Sequence, residues 1–184
     1  MCLKEFLYFN KMRKLFFIVI FLISYIGFSQ EDATRGYRVK VGEQSPKLDF
    51  NLLDGTPITN ETLKGKVVVL QFTASWCSVC IKEMPHLETE VWQQFKNKDF
   101  ILIGIDLKED RQKVRKFIDK MKVTYPFTID ANGALFERFT LPNAGVTRNI
   151  VLDKTGKIIF LSRLYDKKEF SEMVHLIDTK LNEG

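Results

Sequence analysis

Histidine and cysteine are scarce in this sequence of 184 residues, which contains two histidines and three cysteines. A structural zinc site needs about four such ligands, usually supplied as two pairs. Cys77 and Cys80 form one pair, but His86 and His175 stand apart and belong to no paired motif. The scarcity of ligands therefore argues against a zinc site, and no metal or organic cofactor is implied.

A surplus of basic over acidic side chains is also largely missing outside the N-terminus. The formal net charge of the whole chain is +5. Residues 1–29 contain four basic side chains and one acidic side chain, so the surplus falls to +2 without them. A surplus this small gives no reason to expect a polyanionic partner. We therefore expect no binding to nucleic acid.

The sequence lacks an apolar run long enough to cross a membrane comfortably. Residues 15–28 are uncharged and apolar, but they are fewer than the ~20 residues of a typical span. The basic motif NKMRK precedes them, and the small residues Gly27 and Ser29 stand at places suited to cleavage. This pattern predicts a signal peptide over residues 1–29, cleaved near Ser29, rather than an uncleaved anchor. Met12 competes with Met1 as the true start.

Cleavage of this segment would determine where the chain works and which thiols it keeps. The mature chain is expected to be exported, with the periplasm as its location, where disulfides can persist. Cys2 precedes the apolar run and would be lost with it, so only Cys77 and Cys80 would remain. Contact with the membrane is expected only through an uncleaved signal.

The rest of the chain alternates strand patterns with helix patterns. Residues 30–40 are polar and aperiodic, which favours a flexible lead-in, and residues 41–184 carry the periodic patterns of one domain. The β-branched runs 67–72 and 100–105 predict buried parallel strands joined by a helix. The predicted order is hairpin, β, α, β, α, short β, short α, β-hairpin and α, with Asp166 or a neighbour capping the last helix. This order predicts a single α/β sandwich.

The two remaining cysteines lie where a buried strand gives way to a helix. Cys77 would begin that helix, where backbone N–H groups and the helix dipole lower the pKa of a thiol and make it a nucleophile. Cys80, one turn later, would face the same side and be more enclosed. A purely structural disulfide is the plain alternative, but closing so short a loop stabilises a fold little. The pattern therefore favours redox chemistry.

The motif FTASWCSVCIKEMP, residues 72–85, resembles the active-site segment of the thioredoxin superfamily. More closely, it is similar to the TlpA/ResA-like branch of exported thiol-disulfide oxidoreductases, because Glu83-Met84-Pro85 matches the E-x-P that follows the cysteines in that branch. The likeness extends over residues 41–181. It implies a thioredoxin-like three-layer sandwich with an N-terminal β-hairpin and a central βα insertion.

The resemblance also implies an activity, a protein-disulfide oxidoreductase with a Cys77–Cys80 disulfide. Cys77 would attack a substrate disulfide and Cys80 would resolve the mixed disulfide, while Trp76 would shield the pair from water. The substrates would be protein thiols and disulfides, and the branch leans toward a reductant, with cytochrome c maturation as one setting. An exported reductant would need electrons from a membrane thiol partner.

Two departures from the family pattern affect the expected mechanism. Gln71 stands where many thioredoxins place a buried, proton-moving aspartate, and an amide cannot titrate. In the similar branch a glutamate after the next strand is implicated instead, and Glu109 takes that place. We expect Glu109 to have a raised pKa and to accept the proton of Cys80, although acids are also common at helix N-termini for structural reasons.

The second departure is the loss of the cis-proline that normally faces the cysteines. The segment AGVTRN puts Thr147 at that position. A cis bond before a non-proline residue costs about 2.5–4 kcal/mol, so we expect a trans Val146–Thr147 bond. Val146, Thr147 and Arg148 are predicted to form the substrate face with Trp76. Arg148 would contact the thiolate or an acidic group of the substrate, or else lie on the surface as most arginines do.

Two other functions remain open from the sequence. Peroxiredoxins share the thioredoxin-like fold, but they need a threonine three residues before the reactive cysteine, and Ala74 occupies that position. A non-catalytic partner-binding module is the second alternative, in which the disulfide would only lock the fold. The intact Trp-Cys-x-x-Cys motif argues against it.

Overall fold

The structure is a computed structural model that describes residues 34–183, so the predicted signal peptide lies outside the described residues. The chain divides into two compact units, and the second, Gly36–Gly184, contains every element discussed below. None of the helices within residues 34–183 combines the length and the apolar character that a membrane crossing requires.

A five-stranded sheet forms the centre of the domain. Its strands are β3 (Val67–Thr73), β4 (Phe100–Leu107), β5 (Phe127–Asp130), β6 (Arg148–Leu152) and β7 (Ile158–Arg163). The sheet order is β5-β4-β3-β6-β7, with β3, β4 and β5 parallel and with β6 and β7 antiparallel to their neighbours. Every residue of β3 is buried, as its nearly unbroken β-branched run predicts for a strand buried on both faces.

Helices and the N-terminal segment cover the two faces of this sheet. The helices are α1 (Ser78–His86), α2 (Gln93–Phe95), α3 (Arg111–Met121), α4 (Ala134–Phe139) and α5 (Lys167–Asn182). Apolar residues of α1, α3 and α5 pack with Val67 and Val69 of β3, whereas those of α4 pack with Leu70 and Phe72. This alternation along β3 separates two cores and confirms the three-layer sandwich, with β5 and α4 as the central βα insertion.

The helix that follows the cysteines changes its winding. Pro85 lies inside α1, and the chain continues from it as a π-helical segment, Leu87–Trp92, before α2. A proline removes one backbone donor from a helix, so a kink or break is expected near it. The helix instead widens and continues, and Leu87, Val91 and Phe95 remain buried.

The end of the predicted lead-in is packed against the domain. Tyr37 is buried, and its hydroxyl donates hydrogen bonds to the carbonyl oxygens of Ser162 and, at 3.4 Å, Asn149. The Arg38 N–H donates to Phe139 O at 2.8 Å. The prediction of a flexible lead-in is therefore wrong for residues 37–40, because a single aromatic side chain anchors a segment whose composition is otherwise polar.

The N-terminal part of the domain also occupies both edges of the sheet. The predicted hairpin is present as β1 (Asp49–Asn51) and β2 (Pro57–Thr59), and beside it Leu53 N–H donates to Phe127 O of β5 at 2.8 Å. At the opposite edge, Gly42 N–H donates to Ile158 O at 2.8 Å, and Ile158 N–H donates to Glu43 O. Both outer strands thus have backbone partners along part of their length.

Candidate active site

A disulfide joins Cys77 and Cys80 at the start of α1, with their Cα atoms 5.3 Å apart. Cys77 is the N-cap of the helix, and its sulfur accepts a hydrogen bond from the Cys80 N–H at 3.2 Å. Cys77 is 8% exposed, whereas Cys80 is completely buried. A nucleophile from outside the domain therefore reaches the sulfur of Cys77 more easily than that of Cys80.

Thr147 lies directly against both sulfurs. Its Oγ1 is 3.1 Å from Cys77 Sγ and 3.3 Å from Cys80 Sγ. The Val146–Thr147 bond is trans, as expected for a non-proline residue, because residues 34–183 contain no cis peptide. The position that carries a cis-proline in the similar family thus presents a hydroxyl group to the disulfide.

Glu109 lies next to the active-site loop. The prediction that its pKa is raised is wrong. Its carboxylate accepts hydrogen bonds from Ser75 N at 2.6 Å and Ser75 Oγ at 2.8 Å, and it pairs with Lys113. Burial would raise the pKa of Glu109, but the hydrogen bonds from Lys113 and Ser75 outweigh it and hold the pKa below its usual value. Glu109 therefore anchors the residues that lead into Cys77.

A buried polar cluster beneath α1 contains a carboxyl group with the opposite shift. Glu83 accepts a hydrogen bond from Asn149 Nδ2 at 2.7 Å, and Asn149 also contacts Ser162. Gln71, the residue that replaces the aspartate of thioredoxins, accepts a hydrogen bond from the Tyr125 hydroxyl at 2.8 Å. Burial raises the pKa of Glu83 to about 7 despite the hydrogen bond from Asn149. The sequence identifies Glu83 only as part of the E-x-P motif.

Asp106 is a second buried acid that the sequence does not single out. It lies on β4 opposite Thr73, and within residues 34–183 neither of its carboxylate oxygens has a hydrogen-bond partner. Burial and the nearby charge of Glu109 raise the pKa of Asp106 to about 8. Its position in the apolar run of β4 is the signal that could have found it, because an acid inside a buried strand requires an explanation.

The residues predicted to face a substrate differ in exposure. Trp76 is 63% exposed, whereas Val146, Thr147 and Arg148 are buried. The Arg148 guanidinium carbon lies 4.4 Å from the centre of the Tyr37 ring, and its Nε donates to Gly145 O at 2.9 Å. Arg148 therefore does not lie on the surface, because Tyr37 gives it an internal stacking partner that the sequence did not predict.

Within residues 34–183, no three or more His, Cys, Asp or Glu side chains are grouped so that they could hold a metal ion. The reactive groups available at this end of the sheet are thus the two sulfurs, the Thr147 hydroxyl and buried carboxyl groups.

Several known proteins are similar to this chain in sequence and in fold. The Redoxin family profile matches residues 40–177. The thiol-disulfide oxidoreductase ResA of Bacillus thuringiensis is 30% identical over 155 residues, covering 82% of this chain and 87% of that protein. A Bacteroides thetaiotaomicron solution structure, described as a proposed protein disulfide isomerase, is 47% identical with a TM-score of 0.77, covering 81% of this chain and 94% of that one.

A further solved structure supports the fold. The solution structure of a thiol:disulfide interchange protein from a Bacteroides species has a TM-score of 0.65 at 23% identity, and the match covers 79% of this chain and 95% of that one. The fold and the cysteine pair thus define a thioredoxin-fold protein with a redox-active disulfide. The chain belongs to the Redoxin family, and it is a thiol-disulfide oxidoreductase whose substrates are protein thiols.

Proposed function

We propose that the chain is an exported reductant of protein disulfides in which Cys77 attacks the substrate and Cys80 releases it. The observation that carries these roles is the difference in burial at one helix N-terminus. Cys77 is partly exposed and its sulfur accepts a backbone N–H, whereas Cys80 is completely enclosed. A thiolate at Cys77 is stabilised by the helix N-terminus and remains open to a substrate.

The reaction transfers two electrons from the reduced pair to a substrate disulfide. The Cys77 thiolate forms a bond to one substrate sulfur, and the other substrate sulfur leaves as a thiolate and takes up a proton. The Cys80 thiolate then attacks Cys77 Sγ, and the substrate sulfur that was bonded to Cys77 leaves as a thiolate and takes up a proton. The products are a dithiol substrate and the Cys77–Cys80 disulfide that the structure contains.

Resolution requires a group that removes the proton of Cys80. The lowered pKa of Glu109 makes it a weak base at neutral pH, so Glu109 is poorly suited to remove the Cys80 proton. Glu83 follows Cys80 by one helical turn, both side chains are buried, and the pKa of Glu83 is about 7. A pKa near the working pH suits a group that accepts and returns a proton.

The sequence pattern and the family support the proposed direction and location of the activity. The charged and apolar pattern of residues 1–29 favours export to the periplasm, and the mature chain would begin near Gln30. An exported reductant cannot draw on cytosolic thiols, so a membrane thiol protein would restore the dithiol. Cytochrome c maturation is one process that would supply suitable substrates.

The reduction potential of the cysteine pair tests this proposal. The mature protein is equilibrated in defined thiol buffers, and free thiols are counted after alkylation. A value near about −270 mV supports a reductant, whereas a value near about −120 mV would make the protein an oxidant. Cys80→Ser should trap a mixed disulfide with substrate and Cys77→Ser should not, and trapping by the Cys77 variant alone would reverse the two roles.

A thiol peroxidase is the second candidate, and one contact favours it. Peroxidases of this fold orient the peroxide with a threonine hydroxyl, and Thr147 Oγ1 lies 3.1 Å from Cys77 Sγ. The Cys77 thiolate would take one oxygen of a hydroperoxide as sulfenic acid, releasing an alcohol, and Cys80 would then form the disulfide and release water. Slow consumption of peroxide by the reduced protein would exclude this reaction.

A further inference from the structure

The Thr147 hydroxyl has an unusual position, since it lies within hydrogen-bond reach of both active-site sulfurs. The distances to Cys77 Sγ and Cys80 Sγ are 3.1 and 3.3 Å. The sulfurs of a disulfide carry no proton, so the hydroxyl must be the donor in the oxidised protein. A hydroxyl has one proton, and a small rotation about its C–O bond is enough to direct that proton to either sulfur.

We propose that the Thr147 hydroxyl serves the two sulfurs in turn, donating to the Cys77 thiolate in the reduced protein and to the Cys80 thiolate in the mixed disulfide. This inference rests on the proposed roles of Cys77 and Cys80. In the first state the charge lies on Cys77, which becomes the better acceptor. Once Cys77 is bonded to a substrate sulfur, the charge can form only on Cys80, and the hydroxyl turns toward it.

The surroundings of Thr147 hold the hydroxyl in place. The Thr147 carbonyl accepts a hydrogen bond from the Leu164 N–H at 3.1 Å, and the buried Arg148 side chain donates to the carbonyl oxygen of Gly145, three residues before it. Thr147 is itself only 3% exposed, so little water competes for its hydroxyl. A fixed donor in a site of low polarity forms a stronger bond to a charged sulfur than a mobile one in water.

This donor should stabilise the dithiol state more than the disulfide state. A thiolate accepts a charge-assisted hydrogen bond, whereas a disulfide sulfur is a weak acceptor. Stabilising the reduced form makes the pair a stronger oxidant, and a tenfold change in the exchange equilibrium corresponds to about 30 mV. Thr147 thus supplies a chemical contact that a proline side chain at the same position cannot make.

The test compares full-length variants that differ only in the hydroxyl. Thr147→Val removes the donor while keeping the branched shape, and Thr147→Ser keeps the donor. Thr128→Val is the matched control, because Thr128 is equally buried but lies on the outer strand β5, where its hydroxyl donates to Asn51 O. The readouts are the pH dependence of Cys77 alkylation in the reduced protein and the exchange equilibrium with glutathione.

We expect Thr147→Val to raise the apparent pKa of Cys77 by about one unit and to shift the exchange equilibrium about tenfold toward the disulfide. Thr147→Ser should keep both the Cys77 pKa and the exchange equilibrium close to their wild-type values, and Thr128→Val should change neither. Resolution should also slow in Thr147→Val, so that mixed disulfide accumulates with a model substrate.

Equal alkylation profiles for the wild type and Thr147→Val would overturn the inference, as would a change that Thr147→Ser does not reverse. If mixed disulfide accumulated in the wild type to the level seen in Thr147→Val, the claim that the Thr147 hydroxyl donates to the Cys80 thiolate would be wrong. The alkylation readout needs no substrate, so a protein that fails to reduce substrates but keeps the threonine effect refutes the proposed function alone.

Discussion

At the residue scale, the buried carboxyl groups decide how the domain responds to pH. Glu83 has a pKa of about 7 in the folded protein against an ordinary value of 4.5, because burial favours its neutral form. The folded state therefore holds this proton more tightly than the unfolded chain does. The contribution of Glu83 to stability is therefore most favourable below about pH 4.5, falls as the pH rises from there to about 7, and then levels off.

We predict that Glu83→Gln removes the loss of stability that ionisation of Glu83 causes as the pH rises. The shift corresponds to about 3 kcal/mol of unfolding free energy in the wild type. The amide oxygen of Gln can still accept the hydrogen bond from Asn149, so the variant should be clearly more stable than the wild type at pH 8 and similar to it at pH 4.5. Urea unfolding at both pH values measures the difference.

Asp106 provides the matched comparison, because burial raises its pKa to about 8. Asp106→Asn should remove a second loss of unfolding free energy, which also develops as the pH rises but extends to higher pH. The double variant should show the smallest change of unfolding free energy with pH. If Glu83→Gln keeps the pH slope of the wild type, the carboxyl group is ionised in the folded protein and cannot receive the Cys80 proton in the way proposed.

Glu109 should behave as an anchor rather than as a base. Glu109→Gln weakens the bonds to Ser75 and Lys113, which should cost about 1–2 kcal/mol of stability. Because its pKa is already lowered, Glu109 is ionised throughout the neutral range, and the pH profile of disulfide exchange between pH 6 and 8 should keep its midpoint. A midpoint that moves in stopped-flow exchange kinetics would return Glu109 to the role of proton acceptor.

The residues of the site differ in how far the sequence predicts them. Cys77 and Cys80 are found because their spacing and their place after a buried strand are local properties. Thr147 is located by the resemblance, but its contact with both sulfurs is not, because that contact depends on how the start of β6 lies against α1. The burial of Arg148 was missed for a related reason, since it depends on Tyr37, more than a hundred positions away.

At the scale of elements, the packing of β4 against β5 depends on the absence of a side chain. Gly104 is in register with Phe127, and a Cβ at position 104 would lie 2.5 Å from atoms of the Phe127 ring. The ring also stacks on Tyr125 with the centres 5.0 Å apart, so it has little freedom to move away. Overpacking of this kind typically costs about 1–3 kcal/mol.

We predict that Gly104→Ala lowers the unfolding free energy by that amount and that Phe127→Leu partly restores it in the double variant. Thermal or urea unfolding of the four proteins forms a double-mutant cycle. A cost for Gly104→Ala that is the same with Phe127 and with Leu at position 127 would contradict a steric origin and would indicate a backbone effect of the glycine.

The order of the elements is the part of the fold that the sequence predicts well. The β-branched runs, the late β-hairpin and the Asp166 N-cap are each found as expected, because each depends on local patterns. The π-helical segment Leu87–Trp92 is not predicted. Its apolar spacing fits an ordinary helix, and only the proline before it indicates a disturbance.

At the scale of the whole molecule, the start of the folded domain differs from the sequence prediction. The polar composition of residues 30–40 favours a domain that begins at Val41, yet Tyr37 is buried beneath Arg148. We predict that Tyr37→Leu lowers stability by about 2–4 kcal/mol, because it removes both the ring under the guanidinium and the bond to Ser162.

Tyr37→Phe separates these two contributions, since it keeps the ring and loses only the hydroxyl, and it should cost about 1 kcal/mol. Arg38→Gln, next to it in sequence but exposed, serves as the control. Equal stability of the Leu variant and the wild type in urea would mean that the domain does not depend on this segment and that the folded domain begins near Val41, as the sequence predicts.

The covering of both sheet edges bears on how the protein meets other chains. A partner that presents a disulfide for reduction is often an extended or partly folded polypeptide, and a free strand edge would bind it regardless of its cysteines. Gly42 and Glu43 hold part of β7, and Leu53 holds part of β5. Adhesion through the backbone is thereby discouraged. We expect clients to dock beside the exposed Trp76, next to the disulfide, so that a client without an accessible disulfide can leave unchanged.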